Sequence, residues 1–270
     1  MSGFKFERVS QHLLRIIIPC GVCIYLVEGT QSAALLDTGF GIGDLKGYVE
    51  TLTNKPYVVI LSHGHLDHAG GAGQFEKVYL NPKDWELEKW HSTRERRIWN
   101  VQQDPNGMPE GVTEADFLPS RTEPYLPVDE GDNFDLGGVT VQPIAVPGHT
   151  AGSLIFLIPE DHIAVFGDAC GEHTLLLFKE STSIADYRKG LLHVRSYEDQ
   201  FDTVLRNHGV FTSPKQILAD NIELCDDILA GTDAAIPSDF MGMPGCLGRP
   251  EIHPGKTGNI LYDPKKKKND

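Results

Sequence analysis

Four apolar runs in this chain each stop at a potential metal ligand, and that repeat constrains the fold more than any other feature. Tyr57-Val58-Val59-Ile60-Leu61 leads into Ser62-His63-Gly64-His65-Leu66-Asp67-His68-Ala69-Gly70-Gly71. Ile144-Ala145-Val146 leads into Pro147-Gly148-His149-Thr150, and Ile163-Ala164-Val165-Phe166 into Gly167-Asp168. Thr203-Val204-Leu205 leads into Arg206-Asn207-His208-Gly209. Short apolar runs bounded by Gly or Pro read as buried strands, and loops at strand ends carry chemistry above a rigid base. Strand ends meeting at one edge would gather His63, His65, Asp67, His68, His149, Asp168 and His208. Neutral imidazole and carboxylate suit zinc, iron or manganese. Seven such groups exceed the needs of one tetrahedral ion and suit two. For His149 and His208 the alternative is a histidine in a turn. Asp37, which ends the apolar run Leu35-Leu36, is either a residue orienting a ligand through a hydrogen bond or a simple turn aspartate.

The flanking pattern supports a mixed α/β architecture. Leu13 to Ile18, Val22 to Val27 and Ala33 to Leu36 are strand-like, and the spacing predicts a helix over Leu45 to Leu52. Val78 to Leu80 reads as a strand, and Pro82 to Trp90 as a helix beginning at Asn81. Residues 83–127 hold all three tryptophans (Trp85, Trp90 and Trp99) and the charged run Arg94-Glu95-Arg96-Arg97. They read as an insertion that either covers the active site or anchors itself to the core. Phe134 to Val141 has hairpin character, Ser153 to Ile158 is strand-like, and Ser183 is placed to cap a helix running to about Gln200. Ser213, Pro214 and Gln216 form a capping-box start. After it, Leu218, Ile222, Cys225 and Leu229 recur at helical spacing up to Gly231. Residues 232–260 are rich in Gly and Pro and read as an ordered loop or a dimer arm. The expectation is one domain over 1–270, with the insertion at 83–127 and a C-terminal helix plus loop at 213–270.

Composition narrows the partners. Formal charge is −14 at pH 7, which disfavours nucleic acid, because phosphate contacts need clustered Lys and Arg. Lys265-Lys266-Lys267-Lys268 is the exception and reads as a solvated tail. No apolar run approaches a membrane span, and Met1 to Arg8 lacks a signal-peptide core, so a cytoplasmic location is expected. The five cysteines (Cys20, Cys23, Cys170, Cys225 and Cys246) are odd in number and read as reduced thiols. Cys20-Gly21-Val22-Cys23 has no second pair to complete a zinc knuckle. Cys170, two residues after Asp168, reads as core packing near the metals. The expected partner is a small-molecule substrate, with a second copy of the chain if the C-terminal arm dimerises.

The order His-x-His-x-Asp-His, then Gly-His-Thr, then Gly-Asp, then His-Gly resembles the metallo-β-lactamase superfamily of hydrolases, from about residue 12 to residue 210. The resemblance implies a four-layer αββα sandwich. It implies that His63, His65 and His149 hold one metal, that Asp67, His68 and His208 hold a second, and that Asp168 bridges them. Two divalent ions, zinc by preference with iron or manganese as alternatives, would share a water whose pKa falls towards about 7. The resulting hydroxide would attack a carbonyl centre, with Asp67 orienting it as the catalytic carboxylate. The branch resembled is the glyoxalase II-like and lactonase-like one rather than a true β-lactamase, since an aspartate stands at 168 and no export signal is present. Acyl-homoserine lactonases carry a tyrosine three residues after the bridging aspartate, where this chain has Gly171. The expected function is metal-dependent cleavage of a small ester, thioester or lactone. Phosphodiester hydrolysis, or a mono-iron redox reaction like that of the persulfide dioxygenases, is the alternative.

Overall fold

The structure, a computed structural model, describes residues 3–104, 107–250 and 255–268. Met1 and Ser2, residues 105–106, residues 251–254 of the expected C-terminal loop and residues 269–270 lie outside the described residues. Two compact units are present: Met1–Pro143 with Asn207–Gly209, and Ile144–Arg206 with Val210–Asp270. Both mix helix and strand, as expected. Among the described residues no helix is long and apolar enough to cross a membrane.

The first unit is built on a seven-stranded sheet. Its elements are β1 (Lys5–Arg8), β2 (Leu13–Ile17), β3 (Cys23–Glu28), β4 (Ala33–Leu36), α1 (Leu45–Leu52), β5 (Tyr57–Ile60), α2 (Leu66–Ala69), β6 (Val78–Leu80), α3 (Trp85–His91), α4 (Arg94–Gln102) and β7 (Leu126–Pro127). The strands lie in sequence order, antiparallel from β1 to β4 and parallel from β4 to β7. β3 and β4 are buried along almost their whole length. That is why they read as continuous apolar runs rather than alternating ones. Helix α1 starts where Asp44 accepts a hydrogen bond from the Gly47 amide at 2.8 Å and buries Leu45 and Val49. A core including Ile16, Ile24, Leu35, Val59, Leu61 and Ile98 holds these layers together. The insertion contributes α3 and α4. Asn81 starts only a single 3₁₀ turn over Pro82–Asp84, and the α-helix begins one turn later than expected, at Trp85. β8 (Phe134–Asp135) and β9 (Thr140–Ala145) form the expected hairpin.

The second unit holds β10 (Leu154–Ile158), β11 (Ile163–Val165), β12 (Thr174–Leu176), α5 (Ile184–Arg195), β13 (Thr203–Leu205), β14 (Thr212–Pro214), α6 (Gln216–Ala230), β15 (Ile236–Phe240), β16 (Met243–Leu247) and β17 (Ile260–Tyr262). β11 pairs antiparallel with β10 and parallel with β13, and β13 pairs with β14. A separate four-stranded sheet runs β12-β17-β16-β15. Ser183 caps α5 by accepting from the Asp186 amide at 3.1 Å. This helix buries Ile184, Tyr187, Leu191 and Val194 on one stripe, and it ends at Arg195, before the expected Gln200. Helix α6 ends as read: Gly231 takes the left-handed conformation while Thr232 donates to Asp227 O at 2.9 Å.

Three further local readings differ from the structure. Ser213 belongs to strand β14, so the residue before α6 is Lys215, whose side chain makes no cap. Residues 236–247 form a hairpin closed by Met241 (φ 50°) and Gly242 (φ 78°), the backbone signs of a type I′ turn. Pro237 and Pro244 mask that hairpin in the sequence, because proline lacks an amide for a ladder. The lysine run is not simply solvated. Lys266 Nζ donates to the carbonyls of Phe178, Lys179 and Ser181 at 2.5, 2.9 and 3.0 Å.

Candidate functional site

In the first unit, β5 ends at Ile60 and the chain turns through Ser62 to His65 into the four-residue helix α2. His65 is the residue preceding that helix, and Asp67 and His68 occupy its first turn. Gly71 permits the loop to close on the end of β4. A Cβ there would lie 2.5 Å from Thr38 O, and Thr38 in turn donates through N and Oγ1 to His68 O at 2.7 and 2.8 Å. His208 joins this unit because Asn207 is bonded to β3 both ways: Cys23 N donates to Asn207 O at 2.9 Å, and Asn207 Nδ2 donates to Cys23 O at 2.8 Å.

Asp37 is the hub of this half, and its role as an orienting residue is the reading the contacts favour. It is buried, with φ at 67°, a conformation aspartate tolerates better than most residues. Its Oδ1 accepts from Ser62 N at 2.7 Å. Its Oδ2 accepts from Ser62 Oγ at 2.9 Å, from His68 Nδ1 at 2.8 Å and from Asn207 Nδ2 at 3.2 Å. A carboxylate only accepts, so His68 carries its proton on Nδ1. With the Ser62 hydroxyl donating to Asp37, His63 Nδ1 donates to Ser62 Oγ at 3.0 Å. Both imidazoles therefore present Nε2, the arrangement a metal ligand needs.

Beyond Asp37 the ligand atoms converge. His68 Nε2 and His208 Nε2 are 3.1 Å apart. Asp67 Oδ2 lies 3.1 Å from His208 Nε2 and 3.7 Å from His68 Nε2. His63 and His65 offer nitrogens within 4.8 Å of each other, their rings edge to face at 4.8 Å between centroids. Two imidazole nitrogens and a carboxylate oxygen in such proximity are donors of the kind that would hold a divalent cation. The donor set fits a metal ion.

In the second unit His149 and Asp168 come together, with His149 Nε2 3.7 Å from Asp168 Oδ2. His149 Nδ1 donates to Leu175 O on β12 at 2.8 Å, so this imidazole also presents Nε2. Gly148 is required by Tyr187, whose Cδ2 would lie 2.3 Å from a Cβ at 148. Phe178 packs edge to face on the His149 ring at 5.5 Å. Burial pushes the Cys23 and Cys170 thiols up to about 12, so neither serves as a nucleophile near neutral pH.

The insertion supplies two residues that sequence reasoning missed. Asp84, buried, accepts from Gly64 N at 3.0 Å. His91 Nδ1 accepts from Leu66 N at 3.1 Å, and its ring lies 4.6 Å from that of His65. Asp84 ends the 3₁₀ turn before α3 and His91 is the last residue of that helix, and no local sequence pattern marks either. Trp85 anchors the segment by donating to Leu80 O at 2.9 Å, whereas Trp90 and Trp99 are about half exposed. Residues 83–127 therefore brace the His63–Asp67 loop and are tied to the core.

The family model for the metallo-beta-lactamase superfamily matches residues 17–200, and the chain belongs to that superfamily. Among curated relatives, it is 25% identical over 177 residues to acyl-coenzyme A thioesterase MBLAC2 of Homo sapiens, covering 61% of this chain and 63% of that protein. It is 27% identical over 169 residues to hydroxyacylglutathione hydrolase GloC of Haemophilus influenzae, covering 62% of this chain and 72% of the relative. The chain thus spans less than two thirds of the length of the human relative. A solved metallo-beta-lactamase from Pontibacter korlensis shares the fold, with a TM-score of 0.58 at 15% identity over 82% of this chain and 97% of that one.

Proposed function

We propose that the protein is a metal-dependent hydrolase of small esters, thioesters or lactones, with thioesters favoured by the activities for which its relatives are named. In this reading His63, His65 and His149 would hold one divalent ion and Asp67, His68 and His208 another, with Asp168 the carboxylate they would share. Zinc suits the nitrogen and oxygen donors. When bound, the ions supply Lewis acidity that polarises a carbonyl and acidifies water. The chain's own residues then orient the reaction. Asp37 and Leu175 O fix the tautomers of His68 and His149. Asp67 accepts a hydrogen bond from the attacking water and directs its lone pair at the acyl carbon. Hydrolysis forms a carbon–oxygen bond from water and breaks the carbon–sulfur bond, and the products are a carboxylic acid and a thiol.

The observation that carries this reading is the shared orientation of three imidazoles. His63, His68 and His149 each commit Nδ1 to a hydrogen bond and present Nε2. The test is to strip the protein with chelator, reconstitute it with zinc, and assay acetyl thioester, γ-lactone, nitrophenyl acetate and bis-nitrophenyl phosphate. Carbonyl substrates are expected to turn over only after zinc is restored. Asp67→Asn and His149→Ala are each expected to lose at least ~100-fold in kcat/KM. Full activity in the stripped protein sinks the proposal. One bound iron with oxygen consumption replaces it with the dioxygenase-like chemistry.

A further inference from the structure

We infer that one face of the β12-β17-β16-β15 sheet binds the acyl chain of the substrate, so that the preferred substrates carry an unbranched apolar acyl group. The inference rests on the hydrolase reading above and deepens it.

The register defines the face. Phe240 pairs with Met243 and Ile236 with Leu247 across the hairpin. Leu247 pairs with Leu261, and Leu261 with Leu175. Directly opposed residues project to the same side of a sheet, so these six apolar side chains share one surface. Their neighbours Leu176, Ile260 and Tyr262 point the other way, into the helical core. Ser238 and Gly245, paired between the apolar rows, leave a low strip across the hairpin. None of the residues in register on this face is ionisable.

This surface is apolar yet incompletely covered. Leu177, Leu247 and Leu261 form a small cluster of their own, with Phe178 and Met243 packed against it. Phe240 is 37% exposed and the adjoining turn residue Met241 47%. Leu247 and Leu261 are themselves buried, so the open part of the face lies at Phe240, Met241 and half-buried Met243, and apolar side chains left open beside a buried apolar cluster mark a binding surface. Its position identifies the occupant. Phe178 stands edge to face with Phe240 at 6.0 Å and with His149 at 5.5 Å, and His149 is bonded to Leu175 O of the same sheet. The apolar surface therefore begins at a residue of the proposed metal centre. An acyl carbon held there would have its hydrocarbon tail led along Phe178 towards Phe240 and Met243, and each buried methylene is worth about fourfold in affinity.

The test reads binding separately from turnover. Decanoate is titrated calorimetrically into metal-free protein, with acetate as control. Decanoate is expected to bind and acetate not to. Phe240→Ser is expected to weaken decanoate at least fivefold, and Phe240→Leu to restore it. Met243→Ser is read in parallel, and thermal melting confirms that each variant is folded. With zinc restored, the ratio of kcat/KM for decanoyl over acetyl N-acetylcysteamine thioester is expected to fall about tenfold in Phe240→Ser. Equal decanoate affinity in wild type and both serine variants overturns the inference, as does absence of decanoate binding to wild type. A dimer seen by sedimentation that Phe240→Ser dissolves without changing decanoate affinity also overturns it and assigns the face to a second copy. Decanoate binding without hydrolysis of any thioester, ester or lactone upholds the surface and sinks the hydrolase reading instead.

Discussion

At the scale of single residues, Asp37 concentrates the most consequence. It accepts four hydrogen bonds from three residues while almost fully buried. Asp37→Asn keeps the size and the tolerance of positive φ but brings an amide against groups that already donate. Zinc affinity, followed by competition with a chelator, is expected to fall about 10- to 100-fold, the usual cost of losing a partner behind a metal ligand. Asp37→Ala is expected to lose on the order of 3 kcal/mol of stability besides, because several buried donors lose their acceptor. Asp220 offers a second, pH-dependent case. Burial opposes its ionisation, but the Thr257 amide, Gln216, the Thr257 hydroxyl and Lys256 outweigh that and lower its pKa. A carboxylate with a depressed folded pKa contributes stability above its unfolded pKa of about 3.9 and loses it as pH falls through the folded value. Asp220→Asn is therefore expected to melt below wild type at pH 7, and the gap is expected to narrow at pH 3.

At the scale of elements, the lysine run separates two roles within four residues. Lys266 caps three carbonyls of the segment after β12, and burial lowers its pKa. Lys265 is exposed. Lys266→Ala is expected to cost about 1–2 kcal/mol in chemical denaturation, and Lys265→Ala under about 0.5 kcal/mol. Elements set by local rules were the legible ones. Leu45–Leu52 and the Ser183 cap follow from spacing and side-chain chemistry within one turn, and each strand ending in a ligand follows from its own apolar run. The β15–β16 hairpin was not legible, since its prolines argue against strands, although β15 and β16 pair over five residues and β16 also pairs with β17. Asp84 and His91 were missed for a related reason. Their significance lies in the amides of Gly64 and Leu66, about twenty-five residues away or fewer in sequence, and no local pattern announces such a contact.

For the whole molecule, the proposed ions act as ligands of the folded state only. Zinc at about a thousand times its dissociation constant adds about 4 kcal/mol, which for a chain of this size shifts the melting temperature by on the order of ten degrees. Differential scanning calorimetry with zinc and with chelator is expected to display that gap, and coincident curves would count against a metal site. The polypeptide also returns on itself late. Asn207–Gly209 belongs with the first unit although its flanking strands belong with the second. During synthesis, the proposed cation cradle of Asp67 and His68 would thus wait for His208, which leaves the ribosome long after them. Ion capture there would be a closing event in the life of the nascent chain, and a truncation before residue 208 would leave a product that has the loop but cannot complete it.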